Sequence, residues 1–478
     1  MTTTSTTPRP GSHQSRAAAV ILAAGSGKRF GGGKLLARID GAPILAHVVA
    51  AARGAGLGPL IAVVGSDLAD SWAAFGLEPD EIVVNGEPGR GQASSLQLGL
   101  AAAAAADPPV DAAVILLGDQ PLVRPETIRT LVARLGSSTR RIVMPSYARG
   151  GGSNPVVLRR SAFDIAGQTS GDRGLGRILD ANAGLAERVM IPGTSPDVDT
   201  ADDLARVAEQ AWADRVRRNR EQVERLREAP DGKDFYASVS SIFRDDPDRT
   251  GDPVLDALRR HAQPGDIWLD IGAGAGRYAL PLARTVSEVV ALDPSASMLD
   301  VLRESMDEHA IQNVRVIEGR WPADPEAAGG ADVALIAHVG YDVEGIGPFI
   351  DAMERAARRE CVAVLMERSP ATQAAPFWPP VHGEERVQLP ALPAFVDLLI
   401  ARGRKPSVEM VESTRRRWSS RDELERFVRR QTWTQPGSAK DAVMLDRLGA
   451  WTTTFDDGSI ELSLGEPLTV GIASWSPR

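Results

Sequence analysis

Two blocks in which short apolar runs alternate with stretches of helical character constrain the fold of this chain more than any other feature. In the first block, from Ala17 to about Ala205, the runs AVILAA, LIAVVG and AAVILLG are separated by helix-like stretches such as 93–106 and 125–135. The second block starts near Asp252 and contains IWLDIG, EVVALD, VRVIEG and ADVALIA, with a helix expected from Gly274 to Arg284 after the first of these runs. Such alternation is typical of a mostly parallel sheet with helices on both faces. The sequence therefore predicts an α/β protein with two three-layer α/β/α domains.

A densely charged segment separates the two blocks. Within it, Trp212, Val216, Val223 and Leu226 recur at helical spacing, and the PDG at 230–232 is a stop signal. A chain of 478 residues is also too long for a single hydrophobic core. We expect a disordered tail at 1–16, a first domain at 17–205, a helical linker at 206–232 and a second domain at 233–478.

The composition limits the classes of function. Hydrophobic residues make up 43% and charged residues 24% of the chain, and the net charge is −9. An acidic chain of ordinary globular composition disfavours nucleic-acid binding but leaves small phosphorylated ligands open. The single cysteine, Cys361, lies in the apolar run CVAVLM, which predicts an inert buried thiol and excludes a disulfide within the chain. Because no apolar stretch reaches membrane-spanning length and no signal peptide is apparent, we expect a cytoplasmic protein without membrane contacts.

The first block contains a glycine-rich loop, LAAGSGKRFGGGK, at 22–34. A Walker loop requires G-x-x-x-x-G-K-[ST], but Arg29 follows Gly27 and Lys28. A dinucleotide fingerprint requires G-x-G-x-x-G, but Phe30 stands at the third glycine position. The remaining interpretations are a flexible surface turn and a cradle that holds a nucleoside triphosphate.

The cradle is favoured by the chemistry of the loop. Glycines allow backbone N–H groups to approach a base and phosphates closely. Arg29 and Lys34 can then neutralise phosphate oxygens, Arg29 as a planar fork and Lys34 as a point charge.

A carboxylate follows the strand AAVILLG of the same block. Asp119 is expected at the carboxyl edge of the sheet, where α/β proteins bind ligands, and a carboxylate there suits Mg²⁺. The alternative role for Asp119 is to cap the helix that begins near Pro125. Ser94 and Ser95, at the start of an alanine-rich helix, are expected either to bind the base or ribose or to cap that helix.

The loop resembles the signature loop of the nucleotidyltransferases related to molybdenum cofactor cytidylyltransferase. Four further stretches match that family in order: GRGQASSLQLGL, LLGDQPLV, SNPVVL with SGDRGLGRIL, and DVDTADDL. The match covers nearly all of 17–205. The resemblance implies Mg²⁺-dependent transfer of CMP from CTP to a phosphorylated acceptor, molybdopterin, with a molybdoenzyme receiving the product. It also implies that Asp199, rather than Asp197, joins Asp119 in holding the metal, and that Ala24 accompanies cytidine transfer.

The implied nucleotide-binding residues form one set. They are Leu22, Ala23, Ala24, Gly25, Gly27, Lys34, Ser94, Ser95 and Asp119. In the implied mechanism, the acceptor phosphate is already largely dianionic and attacks in line without a general base. Mg²⁺, Lys34 and Arg29 would stabilise charge on the α-phosphate and the departing pyrophosphate.

The second block contains another glycine loop, LDIGAGAGR, at 269–277. Arg277 stands where a nicotinamide fingerprint would have glycine, so the loop predicts a different ligand or a turn without one. With the acidic residues that end the strands on either side, it resembles class I S-adenosylmethionine-dependent methyltransferases over roughly 250–478. The implied S-adenosylmethionine-binding residues are Asp270, Gly272, Gly274, Gly276, Asp293 and Trp321. Trp321 would stack on the adenine, or belongs to the core. The final runs IELSL and LTVGIAS predict a terminal hairpin.

The methyl-acceptor side is expected in AHVGYDV, after the fourth strand of the second block. His338, Tyr341 and Asp342 are the candidates for orienting a nucleophile, and ordinary polar loop residues are the alternative. No N-P-P-[YF] motif accompanies them, which argues against adenine N6 methylation. Two further hypotheses for the whole chain stay open: a nucleotidyltransferase acting on a sugar or polyol phosphate, and a non-catalytic sensor of nucleotide and S-adenosylmethionine.

Overall fold

The computed structural model divides the chain into two compact units, Met1–Val207 and Ala208–Arg478. The expected tail lies outside the described residues except for Arg16, as do 229–232 of the expected linker. The structure describes residues 16–25, 27–69, 72, 79–150, 152–169, 171, 175–182, 184–228, 240–322, 329–411, 417–464 and 469–478.

The first unit is built on a seven-stranded sheet of order β5-β4-β1-β6-β8-β7-β9, with a small β2-β3 pair beside it. The strands are β1 (Ala17–Ala23), β2 (Arg38–Ile39), β3 (Ala42–Pro43), β4 (Leu60–Val64), β5 (Glu81–Val84), β6 (Ala112–Leu117), β7 (Ile142–Tyr147), β8 (Val156–Arg159) and β9 (Ala186–Ile191). The α-helices are α1 (Ile44–Gly54), α2 (Ser66–Ala69), α3 (Gln92–Ala105), α4 (Pro125–Ser137) and α5 (Gly176–Ala181), and α6 (Ala201–Leu226) continues into the second unit. Short 3₁₀ helices occupy Lys28–Phe30, Lys34–Leu36, Pro88–Arg90 and Arg160–Gln168.

The centre of this sheet is parallel, and β1 at its middle is buried on both faces, as is usual for parallel strands. Its residue Ile21 pairs with Ala62 on β4 and with Leu116 on β6, and all three are almost fully buried. The carboxyl ends of β1, β4 and β6 therefore lie at one edge of the sheet. Strand β8 runs antiparallel to both β6 and β7, so the sheet is mixed but mostly parallel.

The second unit contains a seven-stranded sheet of order β12-β11-β10-β13-β14-β19-β15 and a three-stranded sheet of order β16-β18-β17. The strands are β10 (Ile267–Ile271), β11 (Glu288–Asp293), β12 (Val314–Glu318), β13 (Ala331–Ala337), β14 (Ala357–Met366), β15 (Ser407–Val411), β16 (Arg417–Trp418), β17 (Thr452–Thr454), β18 (Ile460–Leu462) and β19 (Val470–Trp475). The α-helices are α7 (Pro253–His261), α8 (Ala279–Ala283), α9 (Ala296–Glu308), α10 (Ile346–Ala356), α11 (Trp378–His382), α12 (Leu392–Ala401), α13 (Arg421–Thr432) and α14 (Ala439–Ala450). The 3₁₀ helices are Ser240–Phe243 and Pro370–Phe377.

The five strands from β10 to β14 are parallel neighbours, and β19 and β15 extend this sheet in antiparallel fashion. Both sheets thus have the parallel-dominated α/β architecture of Rossmann-like folds, which confirms the predicted fold class. The buried residues of β10, β11, β13 and β14 pack against α7, α8 and α9 in one core.

Two local predictions for the second unit are wrong. The predicted terminal hairpin does not form, because β18 pairs with β16 and β17 while β19 pairs with β14 and β15. The alternating pattern marks both segments as strands but cannot choose their partners. The helix predicted to begin at Gly274 begins at Ala279 instead, since Gly274 and Gly276 take left-handed φ angles of 56° and 84°.

Helix α6 is charged, as expected, but one of its faces is buried. Within the second unit, Trp212 donates its indole N–H to the carbonyl of Val343 at 2.9 Å, and Asn219 donates to the carbonyl of Val387 at 2.5 Å. The carboxyl-terminal part of α6 therefore belongs to the core of that unit. Among the helices of the described residues, none combines the length and apolar character needed to span a membrane.

Candidate active sites

The glycine loop of the first unit folds as two short 3₁₀ turns after β1. Gly27 and Gly33 precede the two turns, with left-handed φ angles of 55° and 65°. These angles favour glycine because a Cβ atom would be strained there. The second turn begins at Lys34, and only 12% of the Lys34 side chain is exposed.

Asp119 lies at the carboxyl end of β6, beside the end of β1. Gly118 donates its N–H to the carbonyl of Leu22 at 3.0 Å, and a Cβ at Gly118 would lie 3.2 Å from that oxygen. Only glycine allows this close approach without a shift of the neighbouring backbone. The following carboxylate, Asp119, is consequently placed next to the glycine loop.

Lys34, Asp119 and Asp199 form a charged triad. The Lys34 Nζ atom lies 2.6 Å from Oδ2 of Asp119 and 3.2 Å from Oδ1 of Asp199. Arg29, whose side chain is mostly exposed, adds an ion pair of 3.2 Å with Asp199. Burial lowers the pKa of Lys34, but the charges and hydrogen bonds of Asp119 and Asp199 outweigh burial and leave the pKa above its usual value. The ammonium is therefore fully charged at neutral pH.

The triad opens into a cleft of about 340 Å³. Of the residues predicted to bind nucleotide or metal, those that line the cleft are Leu22, Ala23, Ala24, Gly25, Gly27, Arg29, Lys34, Ser95, Asp119 and Asp199. The other lining residues are Lys28, Leu35, Pro88, Gly91, Gln92 and Leu117. The structure thus brings residues from four separate sequence stretches to one cavity.

Ser94 and Ser95 are held by a residue that the sequence did not single out. The buried amide of Asn85 donates to both hydroxyls at 2.9 Å, and the Ser94 hydroxyl donates to the carbonyl of Gly91 at 2.9 Å. Gly91 occupies the N-cap of α3, and neither serine caps that helix. Ser95 lines the cleft, whereas Ser94 is bonded within the protein.

A second buried amide, Gln120, was also missed. The Gln120 amide, which is 2% exposed, donates to Oδ1 of Asp197 at 2.6 Å. Burial and then the charge of Asp119 raise the pKa of Asp197, while the Gln120 hydrogen bond opposes the rise. Gln120 follows the predicted ligand Asp119 directly in the stretch GDQP, and this adjacency was the available signal.

The glycine loop of the second unit follows β10 and is closely packed. Gly272 donates its N–H to the carbonyl of Leu292 at 2.7 Å and has a φ angle of 79°. A Cβ at Gly272 would lie 2.4 Å from Cγ2 of Val339, and one at Gly276 would lie 2.8 Å from Cγ of Leu280. The loop therefore needs glycine at both positions to pass between its neighbours.

Two acidic side chains flank this loop. Asp293 accepts hydrogen bonds from the N–H of Gly274 at 2.9 Å and from that of Ser295 at 2.8 Å. Asp270 is buried, and its Oδ1 has no hydrogen-bond partner among the described residues. Burial, and then the charge of Asp293, raise the pKa of Asp270 to about 7. A buried carboxyl oxygen without a donor fits a cationic ligand, which would favour its ionised form.

The predicted acceptor-side residues have different environments. His338, with a left-handed φ of 58°, has a buried Nδ1 without a partner among the described residues. Burial and the nearby Arg277 lower the pKa of His338 to about 4. The Tyr341 hydroxyl accepts the N–H of Met366 at 2.7 Å, and Asp342 is exposed. Only His338 therefore has an unused buried polar atom.

Trp321 is buried, and its indole N–H donates to the carbonyl of Phe349 at 3.2 Å. Cys361 is fully buried within β14, and burial raises the pKa of its thiol far above the usual range. The thiol is accordingly unreactive, as the apolar run predicted.

Together, the folds and the two glycine-loop sites define two α/β units of transferase type. Residues 19–187 match the family model of the MobA-like NTP transferase domain, and residues 269–360 match that of a methyltransferase domain. The chain therefore carries a MobA-like NTP transferase domain followed by a methyltransferase domain. Both resemblances and the expected class of enzyme, a transferase in each half, are confirmed.

Two curated relatives each match about a quarter of the chain. The "Bifunctional protein GlmU" of Azorhizobium caulinodans is 40% identical over 119 residues, which are 24% of this chain and 26% of that protein. The "Probable molybdenum cofactor guanylyltransferase" of Thermococcus kodakarensis is 30% identical over 133 residues, 27% of this chain and 59% of that protein. The chain thus spans about a quarter of the length of the former relative and under two thirds of the latter.

Among solved structures, Rv0371c of Mycobacterium tuberculosis H37Rv is 31% identical. The match covers 41% of this chain and 98% of that one, with a TM-score of 0.37.

Proposed function

We propose that the first unit transfers CMP from CTP to a phosphorylated acceptor, molybdopterin, and that the second transfers a methyl group from S-adenosylmethionine to a small molecule. The single observation that carries the first proposal is the convergence of two carboxylates, Asp119 and Asp199, on one cation in a cleft lined by the glycine loop.

Asp119 and Asp199 fit a divalent metal. Their oxygens already lie within 2.6 and 3.2 Å of the same ammonium nitrogen, so a single small cation can contact both. Carboxylate oxygens together with substrate phosphates are the ligands that Mg²⁺ prefers. When bound, Mg²⁺ would supply positive charge to the phosphates at which the reaction takes place.

The residues of the cleft provide positioning and positive charge rather than acid–base chemistry. Lys34 and Arg29 stand beside the carboxylates and would neutralise phosphate oxygens of the nucleotide. None of the described residues that line the cleft is a histidine. A phosphate monoester acceptor, largely dianionic at neutral pH, needs no general base to attack in line.

The choice of CTP rests on Ala24. This residue lines the cleft and is buried. In the resembling families, alanine at this position accompanies cytidine transfer, whereas guanylyl-transferring relatives have glycine. A methyl group here would crowd the larger purine.

For the second unit, the proposal rests on the two acidic residues beside the glycine loop. Asp293 closes the loop through backbone N–H groups, and Asp270 offers a buried oxygen, Oδ1, for which the described residues supply no donor. S-adenosylmethionine carries a sulfonium and an ammonium group, which suit an acidic surrounding better than a pyrophosphate would.

The first experiment measures pyrophosphate release from the full chain with Mg²⁺, each of the four NTPs, and molybdopterin or sugar and polyol phosphates as acceptors. We expect release with CTP and molybdopterin, reduced roughly 100-fold or more in Asp119→Asn. Asp107→Asn, which changes an exposed carboxylate, should behave as wild type. Release with a sugar or polyol phosphate alone would identify a different acceptor, and release with none would favour the sensor.

The second experiment is calorimetry of the full chain with S-adenosylmethionine. Binding should weaken in Asp293→Asn and stay unchanged in Asp307→Asn, an exposed carboxylate on α9. A wild-type chain that binds no S-adenosylmethionine would remove the proposal for the second unit.

A further inference from the structure

We infer that Gln120 is a positioning residue for the metal site of the first unit, acting through its hydrogen bond to Asp197 to hold Asp199 beside Asp119. This inference rests on the proposed metal-dependent transfer. It assigns a role to the glutamine of GDQP that is separate from ligand binding.

The segment that carries Asp199 has no regular secondary structure of its own. It lies between the end of β9 at Ile191 and the start of α6 at Ala201. Its position must therefore be set by contacts with neighbouring elements.

One set of contacts comes from the helix that follows. Asp203 accepts hydrogen bonds from the N–H of Asp199 at 3.3 Å and of Thr200 at 3.0 Å, and the Asp203 N–H donates to the Thr200 hydroxyl at 3.1 Å. This reciprocal pattern at the start of a helix is a capping box. It fixes the carboxyl-terminal end of the segment.

The other set comes from the turn after β6. Val198 donates its N–H to the carbonyl of Asp119 at 3.0 Å, and Gln120 donates its side-chain amide to Asp197 at 2.6 Å. Residues 119 and 120 are thus each bonded to one residue of the Asp199 segment. We call this pair of contacts the clamp.

The clamp controls Asp199 because of the alternation of side chains in the segment. Val198 is fully buried, whereas its neighbours Asp197 and Asp199 are not, so the two carboxylates share the side of the segment that faces away from the core. A hydrogen bond that orients Asp197 therefore also orients the face that carries Asp199. Gly152 leaves room for the amide, since a Cβ there would lie 3.2 Å from Nε2 of Gln120.

The test uses Mn²⁺ as the probe and the full chain. In Gln120→Glu, a carboxylate replaces the donor and faces Asp197, so Mn²⁺ affinity should fall roughly 10-fold to 100-fold, the range for residues that orient metal ligands. In the double variant Gln120→Glu with Asp197→Asn, the donor and acceptor exchange places, and Mn²⁺ affinity should return to within a few-fold of wild type.

Kinetics separates positioning from a structural role. The Mg²⁺ concentration that gives half-maximal activity should be higher in Gln120→Glu than in wild type, while KM for CTP at saturating Mg²⁺ changes little. Thermal unfolding shows whether the variant is folded at the assay temperature. Gln120→Met, which removes the donor without adding charge, serves where Gln120→Glu does not fold and should also bind Mn²⁺ roughly 10-fold more weakly.

The outcomes distinguish this inference from the proposed function. Wild-type Mn²⁺ binding that does not depend on Asp119 would overturn the metal site itself. Wild-type binding that depends on Asp119, together with unchanged affinity in both Gln120 variants, would overturn only the clamp. A double variant that stays as weak as Gln120→Glu would likewise overturn the hydrogen bond as the cause.

Discussion

The ammonium of Lys34 lies 2.6 Å from the carboxylate of Asp119, a residue 85 positions away in the sequence. The same nitrogen contacts Asp199, so in this structure a side-chain cation lies between the two carboxylates proposed to hold a divalent metal. If the proposed metal binds there, Lys34 and the metal would compete for the same pair of carboxylates.

Lys34→Met tests this competition. Removing the ammonium should lower the rate of nucleotidyl transfer roughly 100-fold or more, because charge on the phosphates loses a stabilising group. The same change should tighten Mn²⁺ binding to the full chain, measured by calorimetry without nucleotide, because the competitor is gone. Lys405→Met, at an exposed position, is the control. Weaker Mn²⁺ binding in Lys34→Met would contradict the competition.

Ala24→Gly tests the basis of nucleotide choice. Deleting one methyl group from the cleft should raise kcat/KM for GTP relative to CTP roughly 10-fold, since a single methyl in a binding site is worth about 1–3 kcal/mol of discrimination. Parallel pyrophosphate-release assays with the two nucleotides give the ratio. An unchanged ratio would remove Ala24 as the determinant.

The pKa of Asp270 predicts how the affinity for S-adenosylmethionine depends on pH. Because this pKa is raised to about 7, the carboxyl is largely protonated at pH 6 and must lose its proton when a cation binds beside it. Affinity should therefore rise roughly 5-fold to 10-fold from pH 6 to pH 7.5. Calorimetry on Asp270→Asn gives the baseline, in which only titration of the ligand itself remains. If the affinity for S-adenosylmethionine depends on pH in the same way in wild type and in Asp270→Asn, Asp270 does not face the ligand.

The pKa of His338 predicts a loss of stability in acid. The unfolded chain takes up a proton near pH 6.5, whereas burial and Arg277, partly opposed by Asp252, keep the folded imidazole neutral down to about pH 4. Stability from this group is thus complete above pH 6.5 and falls as the pH drops towards 4, by roughly 3 kcal/mol. His338→Gln should lack this loss.

Tryptophan fluorescence during urea unfolding measures the free energy of unfolding of the second unit in wild type and in His338→Gln. The signal reports on this unit because eight of the nine tryptophans lie at position 212 or beyond. A free-energy difference between wild type and His338→Gln that is the same at pH 7 and pH 4 would contradict the prediction.

A buried ion pair in the second unit predicts a large loss of stability when one partner is replaced and a smaller loss when both are replaced. Arg404 donates to Glu354 at 2.6 and 2.5 Å, both side chains are 6% exposed, and Trp475 also donates to Glu354. Glu354→Leu should destabilise the unit by about 3–5 kcal/mol because Arg404 is left buried without a partner. Adding Arg404→Leu should recover part of this loss. Arg260→Leu, which breaks the exposed pair with Glu409, should cost less than about 1 kcal/mol in the same urea measurement.

The strands that carry the sites could be predicted because their signals are local. A buried apolar run followed by glycine or aspartate marks the carboxyl end of a parallel strand, and this placed Asp119, Asp270 and Asp293 correctly at sheet edges. The glycine loops could be predicted for the same reason, because a left-handed backbone or close packing at a position favours glycine there, and glycine is visible in the sequence.

Strand pairing and hydrogen bonds between residues far apart in the sequence could not be predicted. Nothing in IELSL or LTVGIAS indicates that β19 pairs with β14 and β15, because an alternating pattern fits any neighbour of suitable register. Asn85 and Gln120 were likewise missed. A buried amide looks like any polar residue in a turn until the residues that complete its hydrogen bonds are brought beside it.

The sequence by itself determined two alternating α/β blocks, the loops between their strands and the chemical type of each candidate residue, since these follow from the spacing of neighbouring residues. Tertiary structure alone decided that Lys34 contacts both Asp119 and Asp199, that Gln120 bonds Asp197, and that Oδ1 of Asp270 is buried with no hydrogen-bond donor in the part of the chain that the structure describes. Those facts depend on distances between segments far apart in the chain, and packing of the two cores sets such distances.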